Sequence, residues 1–221
     1  MHIFVPREGK AGERRVAIVP DVIAKYLRAG FSVSVEGGAG VHALADDESL
    51  RSAGATIASA SEISKADVVL SVNPLTAEQF SQLKKGAITI SFLSPNQSLD
   101  AISASAKAGA TSFSLELVPR ISRAQSMDAL TSQALCAGYR AALVAAELAP
   151  RFFPLLMTAA GTVTPANVVV LGAGVAGLQA IATARRLGAV VSAYDVRPAS
   201  ADEVRSMRSE EHTSELQSRE T

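Results

Sequence analysis

Residues 167–195 read NVVVLGAGVAGLQAIATARRLGAVVSAYD: a β-branched run, the turn GAGVAG, a helical stretch, a second apolar run and then an acid. That order is the one a βαβ nucleotide-binding unit requires. Gly172 permits a tight turn out of the first strand, Gly174 lets a diphosphate come close to the backbone, and Gly177 lets the helix pack closely on the strand. With Val175 and Ala176 they would seat the diphosphate at a helix N-terminus, where backbone N–H groups and the positive end of the helix dipole favour an anion. A glycine-rich turn by itself only reverses the chain, so the flanking elements carry the inference. Residues 168–171 predict a strand, 178–187 a helix closed by Gly188, and 190–194 a second buried strand.

Asp195 ends that second strand roughly 20 residues after the first glycine, where an acid hydrogen-bonds a ribose 2′-hydroxyl. A carboxylate there repels a 2′-phosphate, so the pattern predicts NAD(H) rather than NADP(H). Val196 and Arg197 complete this end of the expected site, and Arg197 is the counter-signal, because a nearby guanidinium can accommodate the 2′-phosphate. The plainer readings are a turn-forming acid at a strand end and a solvated surface arginine.

The chain has 221 residues, 48% of them hydrophobic, and no formal net charge, which is enough to bury a sizeable core in one or two domains. The charge balance gives no sign of a nucleic-acid partner or of an anionic membrane surface. The single cysteine, Cys136, forms no internal disulfide and reads as a small helix-packing residue in a reducing compartment. No secretory signal is visible at the N-terminus, so a cytoplasmic location is expected. Residues 152–184 carry no charge over a span long enough to cross a bilayer, yet Pro154, Pro165 and the glycines break any such helix.

Ahead of the glycine turn, apolar runs at residues 2–5, 31–36, 67–72, 87–92 and 111–116 alternate with helix-like stretches such as 21–29, 77–84 and 99–108. This alternation predicts a largely parallel sheet with helices on its faces. Residues 127–153 then read as one helix rich in small side chains, capped by Ser126 or Asp128, ended by Pro154 and packed between domains. The expected organisation is α/β with two Rossmann-like parallel-sheet domains. These are an N-terminal α/β domain over residues 1–125, a connecting helix and linker over 126–162, and a partial NAD-binding domain over 163–207 that stops after its first βαβ unit. Residues 208–221 look foreign to the rest. RSEEHTSELQS resembles the translation of a sequencing-adapter oligonucleotide, so the authentic sequence is expected to end at about Met207; the alternative is a natural disordered tail.

The segment VPRISRAQSMDALTSQ, residues 118–133, goes beyond a generic fold. Together with PREGKAGERRVAIVP (6–20), MTAAGTV (157–163) and GAGVAGLQAIATARRLGAVV (172–191), it resembles the NAD-binding domain I of the α subunit of proton-translocating NAD(P) transhydrogenase. The resemblance implies a homodimer that binds NAD(H) and passes hydride to NADP⁺ on a partner subunit while a membrane portion moves protons. It also implies a peripheral position at the cytoplasmic face of the inner membrane through those partners. It assigns the nicotinamide end to Arg120, Gln125, Asp128 and Thr131, where the family usually has serine at the last position. An amide and a carboxylate suit a carboxamide, and a guanidinium suits phosphate. Gln125, Asp128 and Thr131 are spaced by three residues, so a helical turn would place them on neighbouring surface. Helix capping and a solvated Arg120 are the plainer alternative.

Hydride transfer between two nicotinamides releases no proton from an alcohol or amine, so no catalytic side chain and no metal is expected. His2, His42 and His212 have no evident catalytic partner. Alanine dehydrogenase is the nearest rival family. Arg15 matches its carboxylate-binding arginine, but Ser71 stands where that family has a catalytic lysine, and SFLSP (91–95) lacks the family's nearby histidine. A non-catalytic NAD-binding module is the other rival. As it stands the chain is expected to be inactive alone.

Overall fold

The structure, a computed structural model, describes residues 1–197. The expectation for residues 208–221, and the end of the partial domain beyond Arg197, lie outside the described residues. The described residues form two compact units that divide after Asp128, the second beginning at Ala129.

The first unit runs β1 (His2–Val5), α1 (Pro20–Arg28), β2 (Ser32–Glu36), α2 (Asp47–Ser52), β3 (Thr56–Ala58), β4 (Val68–Leu70), α3 (Ala77–Gln82), β5 (Ile88–Ser91), α4 (Leu99–Ala108) and β6 (Thr111–Ser114). All six strands are parallel, in the order β3-β2-β1-β4-β5-β6. The chain builds outward from β1 on one side, then returns to build outward from β4 on the other, so the order reverses between β1 and β4. Alternation along β1 shows why its run is unbroken in hydrophobicity. Ile3 and Val5 join Ile23 of α1 and Leu50 of α2 on one face. Phe4 points the other way and packs with Val69 of β4 and Phe80 of α3. A parallel strand covered by helices on both faces has no solvent side, so each of its positions favours an apolar residue.

The second unit runs α5 (Ala129–Leu148), β7 (Leu156–Thr158), β8 (Gly161–Val163), β9 (Asn167–Leu171), α6 (Val175–Arg186) and β10 (Val190–Tyr194). β9 and β10 pair in parallel from Asn167 with Val190 to Leu171 with Tyr194, the βαβ unit read from the sequence. α6 closes on Gly188 as expected. Ala189 N–H bonds to Ala184 O at 3.1 Å and Gly188 N–H to Arg185 O at 2.8 Å, a Schellman arrangement with Gly188 at φ +91°. Small residues let α5 lie along α6: Ala142 of α5 and Ala184 of α6 share a core with Phe153, Ala166 and Ala189.

Three local expectations need correction. The long helix ends at Leu148 rather than at Pro154, because Pro150 disfavours helical backbone at Ala149. The end of the stretch expected to be a linker, up to residue 162, instead contributes to an antiparallel hairpin in which Leu156 faces Val163 and Thr158 faces Gly161. The backbone between Gln125 and Thr131 is not one helix. Ser122–Met127 is a 3₁₀ turn, Asp128 has ψ 80°, and the α-helix starts at Ala129. Among the described residues, no helix is long and apolar enough to cross a membrane.

Candidate functional site

The glycine turn sits where β9 hands over to α6. Gly172 has φ +96°, a conformation that side chains rarely adopt, and its N–H bonds to Tyr194 O at 2.7 Å, tying the turn to the end of β10. A Cβ on Gly177 would fall 1.8 Å from Gly172 O, so only glycine lets the first turn of α6 pass this close to the strand end. Gly174 differs from both. Among the described residues a Cβ built there would meet only Arg197 Nη2, at 3.9 Å, which leaves its outer side open to a ligand. Gly174 is also the N-cap of α6 and supplies no capping side chain. The 12-residue helix therefore presents its positive end at an open glycine. Val175, Ala176 and Gly177 form its first turn, with Leu178 N–H already bonded to Gly174 O at 2.8 Å.

Asp195 joins this turn directly. Its Oδ2 accepts the Ala173 N–H at 2.7 Å and Arg197 Nη2 at 3.0 Å. Its Oδ1 accepts the Arg197 backbone N–H at 2.8 Å and Arg197 Nε at 3.1 Å. The Arg197 side-chain hydrogen bonds, with the backbone N–H groups of Arg197 and Ala173, hold this carboxyl well below the usual carboxylate range. Asp195 is thus an anchored acid beside the glycines, as the spacing predicts. The grip of Arg197 on it does not follow from that spacing; the i,i+2 placement of an arginine after a strand-end acid is the signal that suggests it. Val196, between them, is exposed.

The remaining expected residues flank the start of α5. Arg120 and Gln125 are exposed on the segment ahead of the helix, Asp128 is half-buried at its threshold, and Thr131 is half-buried in its first turn.

The first unit has its own cleft, of about 670 Å³, at the carboxyl ends of β1, β4 and β5, where the strand order reverses. Glu8 ties two of its walls together, accepting Asn73 N–H at 3.1 Å and Asn73 Nδ2 at 2.9 Å. Ser71 lines it and donates its hydroxyl to Asn73 O at 2.7 Å. Ser94, at φ +48°, lines it too, its N–H held by Glu116 Oε1 at 2.6 Å. Arg15 is paired with Glu13 at 2.7 Å and has its guanidinium carbon 6.0 Å from the centre of the Phe92 ring. The cleft thus has hydroxyls and amides at Ser71, Asn73, Ser94 and Gln97, and neither a lysine at position 71 nor a histidine in SFLSP.

The comparisons with known proteins agree with this geometry. The family profile described as alanine dehydrogenase/PNT, N-terminal domain, matches residues 4–137, and its C-terminal counterpart matches residues 141–221. The chain is 51% identical to an NAD(P) transhydrogenase subunit alpha polypeptide of Rhodospirillum rubrum over 94% of its own length and 56% of that protein's. It is 34% identical to the alanine dehydrogenase of Mycobacterium tuberculosis, over 89% of this chain and 54% of that one. Among solved structures, the transhydrogenase from Sinorhizobium meliloti superposes with a TM-score of 0.91 at 49% identity, covering 94% of this chain and 62% of that one. The chain therefore spans a little over half the length of these two curated relatives. On both domain profiles and on this identity, the chain belongs to the alanine dehydrogenase/PNT family.

Proposed function

We propose that this chain is the NAD(H)-binding portion of a proton-translocating NAD(P) transhydrogenase. The observation that carries the reading is Asp195 fixed against the glycine turn by the Ala173 N–H at 2.7 Å, beside an open Gly174 at the head of α6. The residues fit a dinucleotide. Gly172, Gly174, Val175, Ala176 and Gly177 offer the diphosphate a helix N-terminus, and Asp195, Val196 and Arg197 frame an adenosine ribose. Arg120, Gln125, Asp128 and Thr131 are the chain's candidates for holding the nicotinamide carboxamide and its phosphate, by the likeness to transhydrogenase. Bound there, NADH would supply a hydride that leaves its ring C4 with both electrons for C4 of NADP⁺ on a partner subunit. The chain's own task is to bind, align and exclude water, with no side chain required to move a proton.

The relatives' names as alpha subunits support an assembly with other subunits; membrane and NADP-binding subunits are the partners this reading assigns. A homodimer seated at the cytoplasmic face through those subunits belongs to the same proposal, and so does the absence of turnover by this chain alone. The test is reconstitution of a full-length α subunit bearing this sequence with those partners. NADH-dependent reduction of an NADP⁺ analogue is the expected result. Tight NADH binding without transfer would point instead to a non-catalytic module, and turnover of L-alanine with NAD⁺ to an alanine dehydrogenase. Either result overturns the proposal.

A further inference from the structure

Asp195 is fully engaged before any ligand arrives. A carboxylate offers about four lone-pair positions, and the Asp195 oxygens receive the Ala173 N–H, the Arg197 N–H, Arg197 Nε and Arg197 Nη2 at 2.7, 2.8, 3.1 and 3.0 Å. The same guanidinium lies next to Gly174, its Nη2 3.9 Å from the position a Cβ would take. A ribose diol that is to donate to Asp195 needs acceptor capacity that the arginine now uses. The four donors are not equal. Two are backbone groups of the site's own walls, and they fix the carboxylate in place. The other two belong to one side chain that is 60% exposed.

We propose that Arg197 is a specificity-determining residue that competes with the adenosine ribose for Asp195, so that its forked grip opens when the sugar binds. This rests on the NAD(H) reading of the site. Neutral ribose hydroxyls are weaker donors to a carboxylate than a guanidinium is, so the exchange lowers affinity for the unphosphorylated sugar. A 2′-phosphate meets a different balance. Asp195 repels it, while the displaced guanidinium is close enough to pair with it two-pronged. Arg197 therefore narrows the preference that Asp195 creates.

The test is calorimetric titration of the full chain with ADP-ribose and with 2′-phospho-ADP-ribose, which differ only at the discriminating position and need only the adenosine half of the site. Arg197→Lys keeps the positive charge near the diphosphate and loses the fork. It is expected to bind ADP-ribose about threefold tighter than the unsubstituted chain, the scale of an exposed ion pair. It should bind the 2′-phosphorylated compound about tenfold more weakly, for want of the two-pronged contact. In the unsubstituted chain, ADP-ribose should also shift the Arg197 Nε–H resonance and speed its exchange with solvent. Arg197→Lys binding ADP-ribose no tighter, or keeping the original selectivity, overturns the role given to Arg197. No binding of ADP-ribose by the unsubstituted chain, or binding that Asp195→Asn leaves untouched, overturns the NAD(H) reading itself and this inference with it.

Discussion

Glu13 shows how a single carboxylate fastens the first unit. Its oxygens accept Arg15 Nε at 2.8 Å, Arg15 Nη2 at 2.7 Å and Asn73 Nδ2 at 3.0 Å, joining the segment after β1 to the loop after β4. Chiefly through the Arg15 hydrogen bond, its pKa falls from 4.5 to about 2. A group whose pKa is lower folded than unfolded stabilises the fold above its unfolded value and loses that contribution as the pH falls through the folded one. The stabilisation from Glu13 should be complete above pH 4.5 and gone near pH 2. Allowing for solvent around the half-exposed Arg15, it amounts to about 1–2 kcal/mol. Denaturation of the unsubstituted chain and of Glu13→Gln should differ by that amount at pH 7 and converge at the acid end; a constant difference would contradict it. Residue roles were legible in the sequence where backbone geometry alone demands them. Gly172 at φ +96° and Gly177 with no room for a Cβ follow from the turn's pattern. The grip of Arg197 on Asp195 does not follow from the turn's pattern, and only the placement of an arginine two residues after the acid suggests it.

Among the elements, the contact between α5 and α6 depends on Gly138. A Cβ there would lie 2.0 Å from Ala176 O, at the first turn of the helix that carries the glycine site. Gly138→Val must push the helices apart and break their alanine-lined core, a loss on the order of 2–4 kcal/mol by overpacking. Thermal unfolding followed by the secondary-structure signal of the second unit should show it, and an unchanged midpoint would show that the helices do not need this approach. Strongly patterned elements were readable: α4 covers the expected residues 99–108, β1 the expected 2–5 and β10 the expected 190–194. Several of the shortest elements were not, as with β3, α2 and the hairpin of β7 and β8. Their short sequences carry too few turns of any period to outweigh turn-forming neighbours, and pairing partners decide them instead. The break at Asp128 belongs here too, since three-residue spacing is compatible with a helix and with a 3₁₀ turn followed by a new helix.

At the scale of the molecule, the two-stranded sheet of the second unit is covered unequally. Val168, Val170 and Val191 are half-buried, Val168 and Val191 against the alanine-rich core, whereas Val169, Leu171 and Tyr194 are 66%, 80% and 63% exposed. A bare apolar face of this kind favours association. Light scattering should find the chain self-associating as concentration rises, and Leu171→Lys should shift it toward the monomer; a monomer at all concentrations would contradict this. The α/β architecture was readable because alternating strand and helix patterns dictate a parallel sheet, and the strand order follows from right-handed crossovers only once pairing is seen. Calorimetric titration with NADH and NADPH tests the proposal that Asp195, set against an open glycine turn, selects an unphosphorylated dinucleotide. NADH should bind more tightly than NADPH, and Asp195→Asn should lose the difference; equal affinities in the unsubstituted protein, or a preference for NADPH, would show that Asp195 does not select the sugar.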